Sequence, residues 1–216
     1  MWPILVKDLR IEFRSKAGLL SIFVLGLLVL LIFQFALPER PTPESAAAAL
    51  WLAFVLAGTL GAQRTFLIER ENLCIEGLKT APIDPSSIFI AKMAGTLVTL
   101  TILQVVVVPL TALFFAVAPA APLWFAVVCL LGNIGFSAIV TLFAAISVGT
   151  RAREVILPLL VFPLLVPLLI AAVKASALLL AGARVAEASI WIQVLVAFDV
   201  IFTVAGWLLF EHVLRE

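Results

Sequence analysis

The chain has 216 residues, of which 64% are hydrophobic and 12% are charged, with a net charge of +1 and a mean hydropathy of +1.26. Soluble domains have a hydrophobic fraction nearer about 45–50%, so this composition excludes an ordinary soluble protein. The net charge is too small to produce an electrostatic field that would attract nucleic acid. Two cysteines and one histidine are too few for a disulfide framework or a metal site of several such ligands.

The first sixteen residues, MWPILVKDLRIEFRSK, have the pattern of an amphipathic helix. At about 100° per residue, apolar side chains share one face and basic side chains lie beside it. The apolar set is Trp2, Leu5, Val6, Leu9 and Phe13, and the basic set is Lys7, Arg10 and Arg14. The pattern predicts an interfacial helix over residues 1–16 with its basic residues toward anionic headgroups, and the alternative is an ordinary solvated helix.

Six apolar segments follow, and each is long enough to cross about 30 Å of hydrocarbon. They cover residues 17–37, 46–65, 92–118, 122–148, 155–177 and 189–210. The sequence therefore predicts an all-α integral membrane fold with six transmembrane helices in a single domain, residues 1–216.

The distribution of lysine and arginine predicts the orientation of these spans, because cytoplasmic loops carry an excess of both residues. One side receives eleven: Lys7, Arg10, Arg14, Lys16, Arg64, Arg70, Lys79, Lys92, Arg151, Arg153 and Arg215. The other side receives Arg40, Lys174 and Arg184. We therefore expect a multi-pass protein of the cytoplasmic (inner) membrane with both termini in the cytoplasm.

A polar segment joins the second and third spans on the predicted cytoplasmic side, within FLIERENLCIEGLKTAPIDPSSIFIAK, residues 66–92. Residues from Glu69 to Thr80 are able to form a short helix. Pro82 and Pro85 would end this helix and force the backbone after it into an extended conformation. Apolar side chains among its charges are typical of a docking surface. A solvated loop explains the same residues equally well.

Residues 69–82, ERENLCIEGLKTAP, with Lys92 ten residues later, resemble the first cytoplasmic loop of type-2 ABC exporter permeases. Leu73 departs from the glycine, and Ile75 from the leucine, that many of these permeases have. The resemblance implies a coupling helix at residues 69–82 that sits in a groove of an ATPase subunit. The residues that carry the resemblance are Glu69, Arg70, Glu71, Glu76, Leu78, Pro82 and Lys92.

Together with LPLLVFPLLVPLLIAA, residues 157–172, the loop resembles more narrowly the CcmB family, the haem exporter permeases of cytochrome c maturation. The proline-rich fifth span, with Pro158, Pro163 and Pro167, is the more discriminating part. The resemblance implies a homodimer with a CcmA-like ATPase, CcmC-like and CcmD-like membrane proteins and a periplasmic CcmE-like haem chaperone. The resemblance implies either ATP-driven export of haem, with haem as a substrate rather than a bound cofactor, or ATP-driven release of the haem-loaded chaperone. In both cases ATP acts through the partner subunit.

No G-x-x-x-x-G-K-[ST] sequence occurs, so the chain does not hydrolyse ATP by that route and is not expected to be an enzyme. One alternative is a type-2 ABC permease for another lipid-like or polymeric substrate. A membrane-embedded enzyme would need clustered catalytic side chains, whereas Asp199 is essentially the only ionisable residue deep in a span. A secondary transporter or channel would show more intramembrane polar groups.

Asp199 is the candidate intramembrane functional residue, because a carboxyl group in hydrocarbon is costly. One interpretation is that its carboxyl group is neutral and forms a hydrogen bond between helices. The other is that it takes part in substrate handling or in coupling. The fifth-span prolines predict either simple curvature or a gate or docking surface for a partner. Lys174, near the outer end of that span, is expected to snorkel rather than pair with Asp199. His212 is expected to be a helix-end residue rather than a haem ligand.

Small and aromatic residues predict how the spans pack and where they end. Gly58, Gly61 and the GNIGFSA stretch at residues 132–138 are expected to allow close helix contacts. Tryptophans near span ends are expected to anchor at the membrane interface, and these are Trp51, Trp124, Trp191 and Trp207.

Overall fold

The computed structural model describes residues 16–36, 41–71, 85–146 and 153–215, and these residues form helices joined by short turns. Six helices follow in chain order: α1 Lys16–Ala36, α2 Pro43–Glu71, α3 Pro85–Phe115, α4 Pro122–Ile146, α5 Arg153–Leu180 and α6 Val185–Arg215. The predicted all-α architecture is confirmed. The predicted interfacial helix lies outside the described residues except for Lys16, which begins α1.

Five of the six helices contain stretches long and apolar enough to cross a membrane. These are Pro43–Ala62, Ser86–Phe115, Pro122–Phe143, Val161–Leu180 and Val185–Phe210. The remaining helix, α1, has 21 residues, and its apolar stretch Leu20–Ala36 is shorter than these five. The crossing of the membrane by α1 therefore stays a prediction.

Proline and threonine set the starts of the helices. Pro43, Pro85 and Pro122 are the first residues of α2, α3 and α4, where a proline fits because the first helical N–H has no intrahelical partner. The Thr42 hydroxyl oxygen accepts a hydrogen bond from the Ser45 N–H at 3.2 Å and so caps α2. These starts follow directly from the local sequence.

Two turns at one end of the bundle, between α3 and α4 and between α5 and α6, contain residues with left-handed backbone conformation. Gly182 has φ of 81° just after α5, and Ala116 has φ of 51° just after α3. The Ala120 N–H donates to the Leu179 carbonyl at 3.1 Å. The turn that joins α3 to α4 is thereby bonded to the last residues of α5.

The polar segment is shorter than the sequence predicts, because helical structure enters it from both sides. The second span was expected to end at residue 65, but α2 continues to Glu71, so the start of the predicted coupling helix belongs to α2. Pro85 begins α3, so the extended backbone predicted from Pro85 onward is wrong, while residues 81–84 lie outside the described residues. Hydropathy marks the part of a helix that suits hydrocarbon, whereas the helix itself continues wherever its backbone bonds are made.

Two helices form the interior of the bundle. The membrane-spanning parts of α2 and α4 are mostly buried, while most residues in those of α3 and α6 are only partly buried or are exposed. α1 packs chiefly on α2 and α3, whereas α6 packs on α3, α4 and α5. α1 and α6 therefore lie on different sides of the bundle, and α5 contacts α2, α4 and α6.

An aromatic group on α2 and α4 occupies the core. The Trp51 indole is 1% exposed, and its Nε1–H donates to the Ser176 Oγ of α5 at 2.9 Å. Phe54 packs edge-on against Trp51 and against Phe136 of α4, each at a centroid distance of 5.3 Å. The prediction that Trp51 anchors at the membrane interface is therefore wrong, because the indole found its polar partner inside the bundle.

The other tryptophans have different surroundings from Trp51. Trp124 and Trp207 are exposed near the ends of the spans of α4 and α6, and Trp191 is half-buried. Their positions agree with the anchoring expected of amphipathic rings at span ends.

Glycines provide the room for close packing, as predicted. A Cβ on Gly132 would lie 2.2 Å from the Trp51 Cη2 atom, and one on Gly61 would lie 2.8 Å from the Ile22 Cδ1 atom. A Cβ on Gly58 would lie 2.9 Å from the Leu100 Cδ2 atom. α4 can approach α2 this closely only because residue 132 has no side chain.

We predict that Gly132→Ala lowers the free energy of unfolding by about 1–3 kcal/mol, the usual cost of overpacking a core. The Trp51 ring cannot move away without losing its bond to Ser176. Gly26→Ala is the matched control, because its Cβ would lie 3.5 Å from the Val107 Cγ2 atom, an ordinary contact. Thermal unfolding of the purified protein in detergent measures both. Equal melting temperatures for the two variants would contradict the packing described.

Candidate functional site

The residues predicted to contact an ATPase fall around the junction between α2 and α3. Glu69, Arg70 and Glu71 form the end of α2. Glu76, Leu78 and Pro82 lie outside the described residues. The backbone therefore places the first three at the start of the polar segment, and the coupling helix itself stays a prediction.

Lys92 does not open the third span as the sequence suggested. Because α3 begins at Pro85, Lys92 lies about two turns inside it, and its side chain is only 8% exposed. Its neighbours Ala91 and Met93 belong to a buried apolar cluster at this end of the bundle. Lys92 therefore lies in the packed end of α3, and its part in ATPase coupling stays a prediction.

Phe89 fixes the start of α3 against α6. Its ring is fully buried, and a Cβ on Gly206 would lie 2.3 Å from its Cζ atom. Phe210 packs on the same ring at a centroid distance of 5.5 Å. The first turns after the polar segment are thus held in a notch of α6. The sequence analysis missed this contact, although Gly206 is the only glycine in α6.

Asp199 lies where α4, α5 and α6 meet. It is 6% exposed and stands about four helical turns, roughly 21 Å, beyond the start of α6 at Val185. A Cβ on Gly135 of α4 would lie 2.6 Å from the Asp199 Oδ1 atom and 2.7 Å from the Leu168 Cδ1 atom of α5. Asp199 is deeper than predicted because α6 begins earlier than its apolar core, and Gly135 makes the room for it.

Neither carboxyl oxygen of Asp199 has a hydrogen-bond partner within the described part of the chain. Lys174 is exposed on α5, on a different face from the buried carboxyl, which agrees with the expectation that the two residues do not pair. An unpaired polar group in hydrocarbon is costly and is a functional candidate by default.

Uncharged polar side chains also lie buried between α3 and α4. The Asn133 Nδ2–H donates to the Thr101 Oγ1 atom at 3.3 Å. Gln104, about one turn from Thr101, is buried, and its side-chain oxygen and nitrogen have no partner among the described residues. The sequence analysis missed Gln104 because one amide in a long apolar run does not change the hydropathy of the window. Asn133 was noted only as part of a glycine-containing packing stretch.

Comparison with known proteins identifies the family. The profile of the CcmB protein family matches residues 1–215, nearly the whole chain. The chain belongs to the CcmB family.

Characterised relatives agree with this assignment. The chain is 35% identical over 178 residues to heme exporter protein B of Escherichia coli K12, covering 81% of this chain and 80% of that protein. It is 31% identical over 176 residues to the heme exporter protein B of Rhodobacter capsulatus, covering 79% of each. The protein of that name from Pseudomonas aeruginosa is 26% identical over 202 residues, covering 93% of this chain and 91% of its own length.

The three prolines of the predicted fifth span, Pro158, Pro163 and Pro167, all lie inside α5, which continues from Arg153 to Leu180. Pro163 and Pro167 are exposed on the outside of the bundle. Pro158 lies about one turn nearer the start of α5. The prolines therefore do not interrupt the helix.

We predict that Asp199→Asn leaves the folding of this CcmB-family chain intact, because no ion partner lies beside the carboxyl group in the described structure. Asparagine has nearly the same size and fits the space beside Gly135. The melting temperature in detergent should change by no more than about 4 °C, which corresponds to about 1 kcal/mol for a chain of this size. Complete loss of the expressed protein would instead reveal an obligatory charged partner.

Gly135→Ala is the matched test of the same site, because its Cβ would meet both the Asp199 carboxyl group and Leu168. We expect a larger destabilisation from this substitution, about 1–3 kcal/mol, than from Asp199→Asn.

Proposed function

We propose that this chain is the membrane permease subunit of an ATP-driven complex that supports haem export in cytochrome c maturation. The observation that carries the proposal is the family match across residues 1–215, together with relatives named heme exporter protein B. A bundle with five long apolar helices is the architecture that a permease requires. Haem is the substrate in this proposal, and no bound cofactor is invoked.

The energy comes from a separate ATPase subunit, because the chain has no phosphate-binding sequence of the P-loop type. A CcmA-like ATPase docks on residues 69–82, with Glu69, Arg70, Glu71, Glu76 and Leu78 in contact with it. Pro82 ends the coupling helix. Residues 69–71 end α2 and Pro85 begins α3, so the rest of the docking segment lies between these two helices in the chain, which supports this placement.

The packing of α3 offers a route by which movement of the docking segment reaches the middle of the membrane. Pro85 begins α3 directly after that segment, and Phe89 is held in the Gly206 notch about one turn later. Gly206 in turn lies about two turns from Asp199 on α6. A displacement of the ATPase contact is therefore transmitted through one packed ring to the helix that bears the intramembrane carboxyl group.

The remaining parts of the proposal come from the family. The subunit forms a homodimer in the inner membrane, with both termini in the cytoplasm. CcmC-like and CcmD-like membrane proteins associate with it, and a periplasmic CcmE-like chaperone receives the haem or is released with it. Asp199 serves substrate handling or coupling.

We predict that Glu76→Lys, and separately Leu78→Asp, abolish co-purification of the ATPase while membrane insertion is unchanged. Glu76→Lys reverses a charge, and Leu78→Asp places a carboxylate where an apolar side chain would be buried. Either change removes the complementarity between the coupling helix and the groove of the ATPase. Glu187→Lys is the matched control, because Glu187 is half-exposed at the start of α6, where it pairs only with the adjacent Arg184 in the described structure. Affinity purification from membranes measures the retained ATPase. Normal retention in both docking variants would count against the coupling segment.

We also predict that deletion of the gene abolishes haem staining of mature c-type cytochromes, and that the intact chain restores it. The haem load of the chaperone is assayed in the same strains, since apo-chaperone and trapped loaded chaperone distinguish failed delivery from failed release. Normal cytochromes in the deletion strain would instead support a permease for another lipid-like or polymeric substrate.

A further inference from the structure

A buried polar contact between α3 and α4 leaves one hydrogen-bond acceptor without a donor. The Asn133 Nδ2–H donates to the Thr101 Oγ1 atom at 3.3 Å, and the Thr101 hydroxyl donates its single proton to the Leu97 carbonyl at 2.7 Å. Thr101 therefore cannot also donate to Asn133. The Asn133 side-chain oxygen has no partner within the described part of the chain, although the residue is only 2% exposed.

Gln104 of α3 carries the complementary group. Its side chain is 3% exposed, and both its oxygen and its nitrogen lack partners among the described residues. A carboxamide offers a donor and an acceptor together, and these are the two groups that the Asn133 carboxamide can bind. Gln104 is close to the existing contact, because it lies about 4.5 Å farther along α3 than Thr101 and about 60° away around the helix.

Both carboxamides lie well inside their spans. Gln104 is roughly 16 Å from the end of α3 at Phe115, and Asn133 is roughly 16 Å from the start of α4 at Pro122. Hydrocarbon supplies neither donors nor acceptors at that depth, and an unpaired buried amide is destabilising. The present arrangement of α3 and α4 therefore has a cost that pairing the two carboxamides would remove.

Contacts with glycines hold α3 in its present rotational position. Leu100, about 40° from Gln104 around the helix, faces α2, where a Cβ on Gly58 would lie 2.9 Å from its Cδ2 atom. Phe89 lies in the Gly206 notch of α6 near the start of α3. A turn of α3 by up to about 60° would carry Gln104 from the α2 side toward α4. The same turn would move both apolar side chains out of their contacts.

We propose that α3 has a second rotational position, in which Asn133 exchanges Thr101 for Gln104 and the two carboxamides form paired hydrogen bonds. Movement of the docking segment selects this position, because Pro85 begins α3 directly after that segment. Pairing of the carboxamides offsets part of the cost of moving Phe89 out of its notch. This inference deepens the proposed function, on which it rests for the docking segment and its ATPase.

Disulfide trapping in the full chain, in native membranes, tests the exchange of partner. In a background with Cys74→Ser and Cys129→Ala, one variant carries Thr101→Cys with Asn133→Cys, and the other carries Gln104→Cys with Asn133→Cys. Each is oxidised without nucleotide and after trapping with ATP and vanadate, and the disulfides are quantified by mass spectrometry. We expect the 101–133 disulfide to dominate without nucleotide and the 104–133 disulfide to increase on trapping. An unchanged ratio of the two disulfides would overturn the proposal.

Gln104→Leu separates a switching role from a purely structural one. Leucine removes the unpaired polar atoms, so the melting temperature of the purified chain should rise by about 2–4 °C. Haem staining of mature c-type cytochromes should nonetheless fall about threefold, because the second position loses its paired bonds. Thr111→Val is the matched control and should leave staining unchanged, since Thr111 is 3% exposed on the same helix and its hydroxyl donates locally to the Val107 carbonyl. A melting temperature that does not rise, or staining that does not fall, in Gln104→Leu would also overturn the proposal.

Retention of the ATPase and of trapped nucleotide in the same membranes separates the two ideas. If both are present and the disulfide ratio is unchanged, the second position of α3 alone is rejected. Loss of the ATPase from the unsubstituted chain would reject the proposed function. The melting temperature of the purified Gln104→Leu chain does not depend on the ATPase, and so it tests the unpaired state of the amide in either case.

Discussion

The constraint on which this structure depends is that hydrocarbon offers no hydrogen-bond partner. Every backbone N–H and carbonyl in a span must be satisfied inside the protein, and a bundle of long helices does this. The same constraint makes the few unsatisfied groups informative. The Asp199 carboxyl group and the Gln104 amide are buried without partners among the described residues. Each is costly, and each is therefore a place to look for function.

Packing in this bundle relies on rings that fit against glycines. Lipid tails are as apolar as the helix surfaces, so hydrophobicity alone does not determine which helix faces pack together. Small residues determine this instead, because they allow close contact between helices. Trp51 lies against Gly132 in the core, and Phe89 lies against Gly206 at the other site. The first contact joins α2 to α4 and the second joins α3 to α6. Of these two contacts, only the one between Phe89 and Gly206 lies directly after the segment proposed to contact the ATPase.

Much of the architecture could be predicted from the sequence, because long apolar runs report directly on the membrane environment. Five spans and the close packing at Gly58 and Gly61 follow from such local rules. The buried positions of Trp51 and Lys92 could not be predicted, since both depend on which helices become neighbours. Likewise, hydropathy could not reveal that α2 continues to Glu71, because helical bonding does not end where apolarity does.

The position of α6 explains how a small movement would change the surroundings of Asp199. α6 has one side against α3, α4 and α5 and the other exposed, and Val196 and Val200, which lie about 60° and 100° from Asp199 in the same direction around the helix, are already exposed. Successive residues differ by about 100° around a helix, so a rotation well short of a full turn would carry the carboxyl group from Gly135 toward the surface. The Phe89 ring in the Gly206 notch acts on this same helix about two turns away. A carboxyl group without fixed internal bonds loses little when it moves, whereas an ion pair at the same position would hold α6 in place.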